Sequence, residues 1–246
     1  MIQTAPVYWY DDIDSTSEEA KRRARRGETS AVWIAAREQT AGKGRLGRNW
    51  VSPVGNLFTT LLFPEPGGLK TAARIPFAAA LAVRDTCEAV TPNLGALLKW
   101  PNDVRVRSQK ISGILTETGD TNGVVWIALG MGINLHHTPE NVDQAATSLA
   151  REGAPEALTP ELLLDQLRNS VSARVEQARQ DFPGLLQSWL DVAEGRGQTV
   201  QAGPVNDRIS GVFESLADDG GLILRLPDGT QRTIRAGDVD LVKRVG

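Results

Sequence analysis

Between Arg37 and Trp50 the chain reads REQTAGKGRLGRNW, in which Gly42, Gly44 and Gly47 alternate with Lys43, Arg45 and Arg48, and Arg37 stands just ahead of them. Glycine clustered beside strong cations suits a place where backbone N–H groups approach a charged ligand closely, so this segment has the makings of an anion site. A mobile, positively charged surface loop is the alternative on this segment alone. Neither standard phosphate signature is present. Lys43 is followed by Gly44, which rules out GxxxxGK[ST], and no GxGxxG runs into a helix with an acidic residue about twenty positions on.

Three more groups of residues carry chemical potential. Lys99-Trp100-Pro101-Asn102-Asp103 sets a cation and a carboxylate around a proline turn, and a further lysine, Lys110, opens the next apolar stretch. Gly130-Met131-Gly132-Ile133-Asn134 ends a strand-like run with two glycines and an amide, the kind of place where a ligand meets bare backbone. Cys87 lies in an apolar helical run with no histidine nearby, so it reads as a buried small hydrophobe and not as a nucleophile. His136 and His137 are adjacent, with no carboxylate at ligand spacing, and neither a metal nor a catalytic role is expected of them.

The elements that must position these residues follow from patterning. Val7 to Tyr10 is a short strand, and Asp14-Ser15-Thr16-Ser17 offers caps for a helix over Glu18 to Arg26 that Gly27 ends. The basic run Lys21, Arg22, Arg23, Arg25, Arg26 reads as a solvated face with cations near the helix C-terminus. Val32 to Ala36 is a buried strand delivering the glycine-rich loop, and Asn56 to Phe63 is another strand, closed by Pro64 to Gly68. Ile75 to Val90 is a helix packed on a sheet. Leu94 to Trp100, Val104 to Val106, Lys110 to Glu117 and Val124 to Leu129 are strands, the last two forming a hairpin around Gly119 to Gly123. Helices follow over Glu161 to Arg179 and Phe182 to Leu190. From Val200 the segments 200–202, 210–216, 222–226, 231–235 and 239–242 are short, turn-bounded strands at hairpin spacing, which predicts a small barrel packed against the larger unit.

Composition sets the bounds. A chain of 246 residues with 41% hydrophobic content can bury a large core. Its 27 basic and 30 acidic residues leave a net charge of −3, so the basic loop stands out from a slightly acidic background and bulk nucleic-acid binding is disfavoured. A single cysteine and an N-terminus with neither basic nor apolar regions predict a cytoplasmic protein, and no apolar run is long enough for a membrane span.

Taken together, Asp14-Ser15-Thr16, Gln39 with Gly42 to Arg48, the KWPND segment, Lys110 with Gly113-Ile114-Leu115, and Gly130 to Asn134 resemble the biotin protein ligases, in that family's order, over roughly residues 7–246. The resemblance implies an α+β fold: a mixed sheet with packed helices of class II synthetase-like type over residues 1–193, plus a C-terminal SH3-like β-barrel over 194–246. It implies synthesis of biotinyl-5′-AMP from biotin and ATP, with Mg2+ accompanying the nucleotide, and transfer of biotin to one lysine of a biotin carboxyl carrier domain. By the same resemblance Lys110 reaches the carboxylate and α-phosphate region, while Arg45 and Arg48, with Lys43, organise the loop over the adenylate. Ser15, Thr16 and Gln39 hydrogen-bond biotin's ureido ring, Gly113 lets biotin approach the backbone, and Gly42 and Trp50 complete the biotin side. Lys99, Trp100, Asn102, Gly132 and Asn134 fall on the nucleotide side, with Trp100 either an aromatic wall or structural. Asp103 either orients the incoming lysine or pairs with Lys99. The metal ligands are not identified, and both a sheet-edge homodimer and a monomer fit. Two departures stand out. The family's GRGR reads GKGR here, keeping charge but losing a bidentate fork, and with only residues 1–6 ahead of the first strand the chain resembles the monofunctional ligases, without DNA binding or repressor function.

Three rivals compete with that reading. A lipoate or octanoate transferase shares the related fold, but its motifs do not match GKGRLGR and KWPND, and Cys87 is poorly placed for an acyl intermediate. A non-enzymatic biotin-sensing or carrier-binding module needs neither the cationic loop nor Lys110. A nucleic-acid binder is weakened by net charge and by the lack of interleaved aromatics.

Overall fold

Val32-Trp33-Ile34-Ala35-Ala36 is apolar throughout because both faces of its strand are covered. Val32 and Ile34 pack with Ala20 and Ala24 of a helix on one face, and Trp33 and Ala35 join the main core on the other, the alternation a pleated strand imposes. The structure, a computed structural model, describes residues 2–28, 30–139, 144–204 and 206–242, so the last four residues of the expected C-terminal unit lie outside it.

Seven strands form the principal sheet: β1 Val7–Ile13, β2 Val32–Gln39, β3 Leu57–Pro64, β4 Leu97–Lys99, β5 Asp103–Val106, β6 Gln109–Thr121 and β7 Val124–Ile133. Their order is β1-β2-β3-β7-β6-β5-β4, with β1 and β2 parallel and every other pair antiparallel. Helix α1, Thr16–Arg25, makes the crossover between the parallel strands. Its cations are mostly paired and not simply solvated: Lys21 with Glu117 at 2.7 Å, Arg22 with Asp14 at 2.8 Å, and Arg23 with Glu19 at 3.1 Å. Arg22 holds the Asp14 carboxyl down at about 2. The opposite face carries α3, Ile75–Val90, α4, Pro160–Gln180, and α5, Phe182–Asp191, with a short α2, Gly68–Ala72, ahead of them. Phe77 of α3 meets Phe182 and Trp189 edge-on, with centroids 6.3 and 5.9 Å apart. Cys87 is fully buried in α3, and burial pushes its thiol up to about 12, out of reach of nucleophilic use.

Two strand expectations need adjustment. The segment from Leu94 pairs only over Leu97–Lys99, because Asn93 and Gly95 hold positive φ (63° and 68°) in the turn before it. The hairpin loop is narrower than Gly119 to Gly123: β6 and β7 run to Thr121 and Val124, leaving Asn122-Gly123 as a two-residue turn with φ of 55° and 79°.

The C-terminal unit is a five-stranded antiparallel sheet of SH3-like type: β8 Thr199–Gly203, β9 Ile209–Leu216, β10 Leu222–Arg225, β11 Gln231–Ile234 and β12 Asp238–Leu241, in the order β11-β10-β9-β8-β12. Its buried residues, Phe213 among them, belong to the same apolar cluster as α3 and α5. The KWPND segment supplies polar fastenings to it. Trp100 Nε1 donates to the carbonyl of Gly220 at 3.0 Å, and Lys99 Nζ lies 3.0 Å from Asp240 of β12. Arg208 also pairs with Asp240; burial raises that carboxyl, but Arg208 and Lys99 together hold it below its usual value.

Because Trp100 is buried and its donor serves the Gly220 carbonyl, Trp100→Phe should lower the free energy of unfolding by about 1–3 kcal/mol, the cost of stranding a buried acceptor. A urea titration checks this, and an unchanged midpoint would contradict it.

Candidate active site

One row of residues crosses the sheet through paired positions: Ala36 on β2, Phe58 on β3, Gly132 on β7, Gly113 on β6 and Asp103 on β5. Side chains at paired positions share a face, so two successive glycines leave a trough between Phe58 and Asp103. Trp50 fills part of it. A Cβ on Gly132 would lie 2.6 Å from the indole Nε1, and one on Gly113 would lie 2.8 Å from Cζ3 of the same ring and 3.1 Å from Lys110 Cε. These glycines are required by close approach and not by backbone conformation.

Lys110 stands at the edge of the trough. Its Nζ is 2.6 Å from Asp103 Oδ1 and 5.3 Å from the centroid of Trp50, so an ion pair and a cation–π contact hold the ammonium in the cavity. Its backbone is clamped from the other side, its N–H donating to Ala145 O at 2.8 Å and its carbonyl accepting from Thr147 N at 3.0 Å. The alternative pairing of Asp103 with Lys99 is not made. Their backbones are paired across β4 and β5, but Asp103 faces Lys110 and Lys99 faces Asp240.

The glycine-rich loop is a small ribbon folded back on itself. Trp50 N donates to Gly42 O at 2.9 Å, Lys43 bridges Asn49, and Gly44 N donates to Arg48 O at 2.7 Å. At its tip Arg45–Gly47 makes a single 3-10 turn, with Leu46 and Gly47 at positive φ (57° and 74°). Its cations reach the C-terminal unit. Arg45 donates to Asn102 Oδ1 at 2.9 Å and to the carbonyl of Gly237 at 3.3 Å, and Arg48 Nη2 lies 2.6 Å from Asp238. Burial lowers the pKa of Arg45, an effect that Asp238 and Asp103 oppose. Lys43 turns the other way, to Glu18 of α1, whose carboxyl is held below its usual range by Lys43 and then by Lys21.

At the other end lies a relay of uncharged groups. Gln39 Oε1 accepts from the Thr16 N–H at 2.9 Å and from the Thr16 hydroxyl at 3.1 Å, and Gln39 Nε2 donates to Ser52 Oγ at 2.9 Å. Gly42 backs this relay: a Cβ there would strike Trp50 O at 2.4 Å and Ser52 Oγ at 2.6 Å.

These groups enclose a cavity of about 480 Å³. It brings together Ser15, Thr16, Gln39, Lys43, Arg45, Arg48, Trp50, Asn102, Asp103, Lys110, Gly113, Gly132 and Asn134. Gly42 lies behind the wall, Lys99 and Trp100 face the C-terminal unit, and Arg37 pairs with Glu161 at 2.9 Å, so these four do not line it. The cavity also takes in Asp238, which contacts both loop arginines from another unit, and Gln144, neither of which stands in a sequence motif that marks it. Among the described residues no group of three or more His, Cys, Asp or Glu side chains is placed to hold a metal ion, and no helix is long and apolar enough to cross a membrane. Cations and an uncharged hydrogen-bonding relay lining one cavity suit a ligand that carries both a polar uncharged group and negative charge.

The chain matches the Biotin/lipoate A/B protein ligase family over residues 10–134 and the Biotin protein ligase C terminal domain over residues 197–242. It is 39% identical to a biotin–[acetyl-CoA-carboxylase] ligase of Paracoccus denitrificans, over 89% of this chain and 93% of that protein. The corresponding ligase of Mycobacterium tuberculosis is 31% identical over 92% of this chain and 85% of its own length. Among solved structures, the biotin protein ligase of Aquifex aeolicus in complex with biotin and ATP superposes with a TM-score of 0.81 at 26% identity, covering 97% of this chain and 99% of that one. By sequence along nearly its whole length and by fold, this chain belongs to the biotin protein ligase family.

Proposed function

We propose that this ligase activates biotin with ATP and passes it to a lysine of a biotin carboxyl carrier domain. The observation that carries the reading is that Lys110 lines one cavity together with the uncharged Thr16–Gln39 relay and the arginines of the glycine-rich loop. The relay suits biotin's ureido ring, with Ser15 beside it, and Trp50 in the trough between Gly113 and Gly132 covers the rest of the ligand. Arg45, Arg48, Asn102 and Asn134 serve the nucleotide. The solved Aquifex relative binds biotin and ATP together, which supports this assignment.

In the first step a biotin carboxylate oxygen attacks the α-phosphorus of ATP and pyrophosphate leaves, giving the mixed anhydride biotinyl-5′-AMP. In the second, the carrier lysine's amine attacks the anhydride carbonyl, AMP departs with the bonding electrons and a proton leaves the new amide nitrogen. No protein nucleophile is needed. The obstacle is bringing two anions together, and a like-charged pair about 4 Å apart costs roughly 4 kcal/mol at an effective dielectric of 20. One well-placed ammonium offsets that cost, and Lys110 supplies it, held by Asp103 until the substrate carboxylate competes for it. Magnesium enters with ATP as part of the substrate. Asp103 is then the carboxylate near enough to orient the incoming lysine. The loop, anchored at its glycines and exposed at Leu46, acts as the lid over a hydrolysable anhydride.

The direct test is incubation with biotin, ATP, magnesium and a carrier domain, followed by mass measurement of the carrier. Gain of one biotinyl group is expected; no mass gain with biotin, and gain of a lipoyl or octanoyl group when lipoate or octanoate replaces it, would overturn the reading. Lys110→Ala should lower biotin-dependent pyrophosphate exchange by about a hundredfold or more, while leaving the circular dichroism spectrum unchanged; near-normal exchange would remove Lys110 from the chemistry. Arg45→Ala should speed escape of the adenylate from the protein. A chase with unlabelled biotin that shows wild-type retention would rule out the lid.

A further inference from the structure

Lys110 faces the cavity because its strand is irregular there. Gly113 on β6 pairs with Asp103 on β5 and shares its face, and in an even ladder Lys110, three residues before Gly113, would point to the opposite one. Between the Val104–Ser112 and Arg105–Lys110 pairs, however, β6 carries an extra residue, Ile111. This bulge sends the Ile111 side chain into the main core, where it is fully buried, and returns Lys110 to the face of Asp103. β7 no longer runs alongside at that point, since its last residue, Ile133, lies opposite Ser112. Residues 145–147 take its place, pairing with the Lys110 N–H and carbonyl.

One carboxylate holds that clamp. Glu152, whose side chain is 7% exposed, accepts at Oε1 from the hydroxyl of the buried Thr147 at 2.7 Å, while the Thr147 N–H donates to the Lys110 carbonyl. Its other oxygen lies 3.3 Å from Arg107 Nη1, in the turn that leads into β6, but the Arg107 side chain is 79% exposed and a weak counter-ion. The charge-assisted bond to Thr147 is therefore the main buried contact of Glu152. Neither Glu152 nor Thr147 lines the cavity, so whatever they contribute to the chemistry runs through Lys110.

Resting on the adenylate reading above, we propose that Glu152 is a positioning residue for biotin activation: by holding Thr147 it fixes the backbone of the bulge, and with it the point from which the Lys110 ammonium serves the biotin carboxylate and the α-phosphate. An ammonium on a flexible stem is placed only as well as the backbone that carries it, and a misplacement of about 1 Å can cost roughly a hundredfold in rate.

Biotin-dependent pyrophosphate exchange tests this. Thr147→Val and Glu152→Ala should each lower kcat about tenfold or more, with the KM for biotin changed less than about twofold. Thr147→Ser, which keeps the hydroxyl, and Glu152→Gln, which keeps an oxygen to accept from it, should stay within about threefold of wild type. A residue that acts through Lys110 has no effect once Lys110 is gone. Adding Thr147→Val or Glu152→Ala to Lys110→Ala should therefore leave the residual exchange unchanged, whereas a general loosening of the fold would lower it further. An unchanged kcat in Thr147→Val overturns the proposal, as does a further loss in the Lys110→Ala background or a Glu152→Gln variant as slow as Glu152→Ala. If Glu152→Ala does not fold, Thr147→Val, which preserves the shape of the side chain, carries the same test. Near-normal exchange in Lys110→Ala alone, or no exchange in the wild-type protein, would instead overturn the adenylate reading beneath it.

Discussion

Cations gathered around one cavity repel each other and must be neutralised whenever no ligand is present, and much of the structure follows from that constraint. Lys110 is held by Asp103 across two adjacent strands, and Arg45 and Arg48 by Asp238 from the C-terminal sheet. Each carboxylate occupies a place that an anionic substrate can take over. Partly exposed pairs contribute only about 0–1 kcal/mol to stability, and under the proposed function their value lies instead in partners that exchange when an anionic substrate binds.

That arrangement explains why the small C-terminal sheet packs so closely on the larger unit. β12 presents Asp238 to the loop arginines and, two residues on and therefore on the same side of the strand, Asp240 to Lys99 and Arg208. The KWPND segment is accordingly divided in its work. Lys99 and Trp100 fasten the two units together, while Asn102 and Asp103 face the cavity and touch the cations. A displacement of the C-terminal sheet would move both the partner of the loop arginines and the strand leading to Asp103.

Much of this was legible in the chain. The α3 boundaries at Ile75 and Val90 follow from a proline in the first turn and an unbroken alanine-rich face. The buried β2 run and the register of β6 on β7 are equally readable once Asn122-Gly123 is recognised as the whole turn, since counting outward places Gly113 opposite Gly132. A wider turn leaves that register undefined, and with it the trough. What the chain could not disclose are contacts between distant residues with no local pattern: Asp238 lies 190 positions from Arg48, and Gln144 sits in a stretch with no periodicity. Lys99 and Trp100 show the converse, a motif whose members share a turn but serve different surfaces. The resemblance identified the family; the geometry divided the labour within its motifs.

The central claim is that the cavity brings a carboxylate to the α-phosphorus. Biotin labelled with heavy oxygen in its carboxylate tests it most directly, with the AMP released on transfer to the carrier analysed by mass spectrometry. Attack by the carboxylate predicts one heavy oxygen in the phosphate of AMP and one in the new amide carbonyl. Unlabelled AMP, with heavy oxygen appearing in pyrophosphate or orthophosphate, would contradict it.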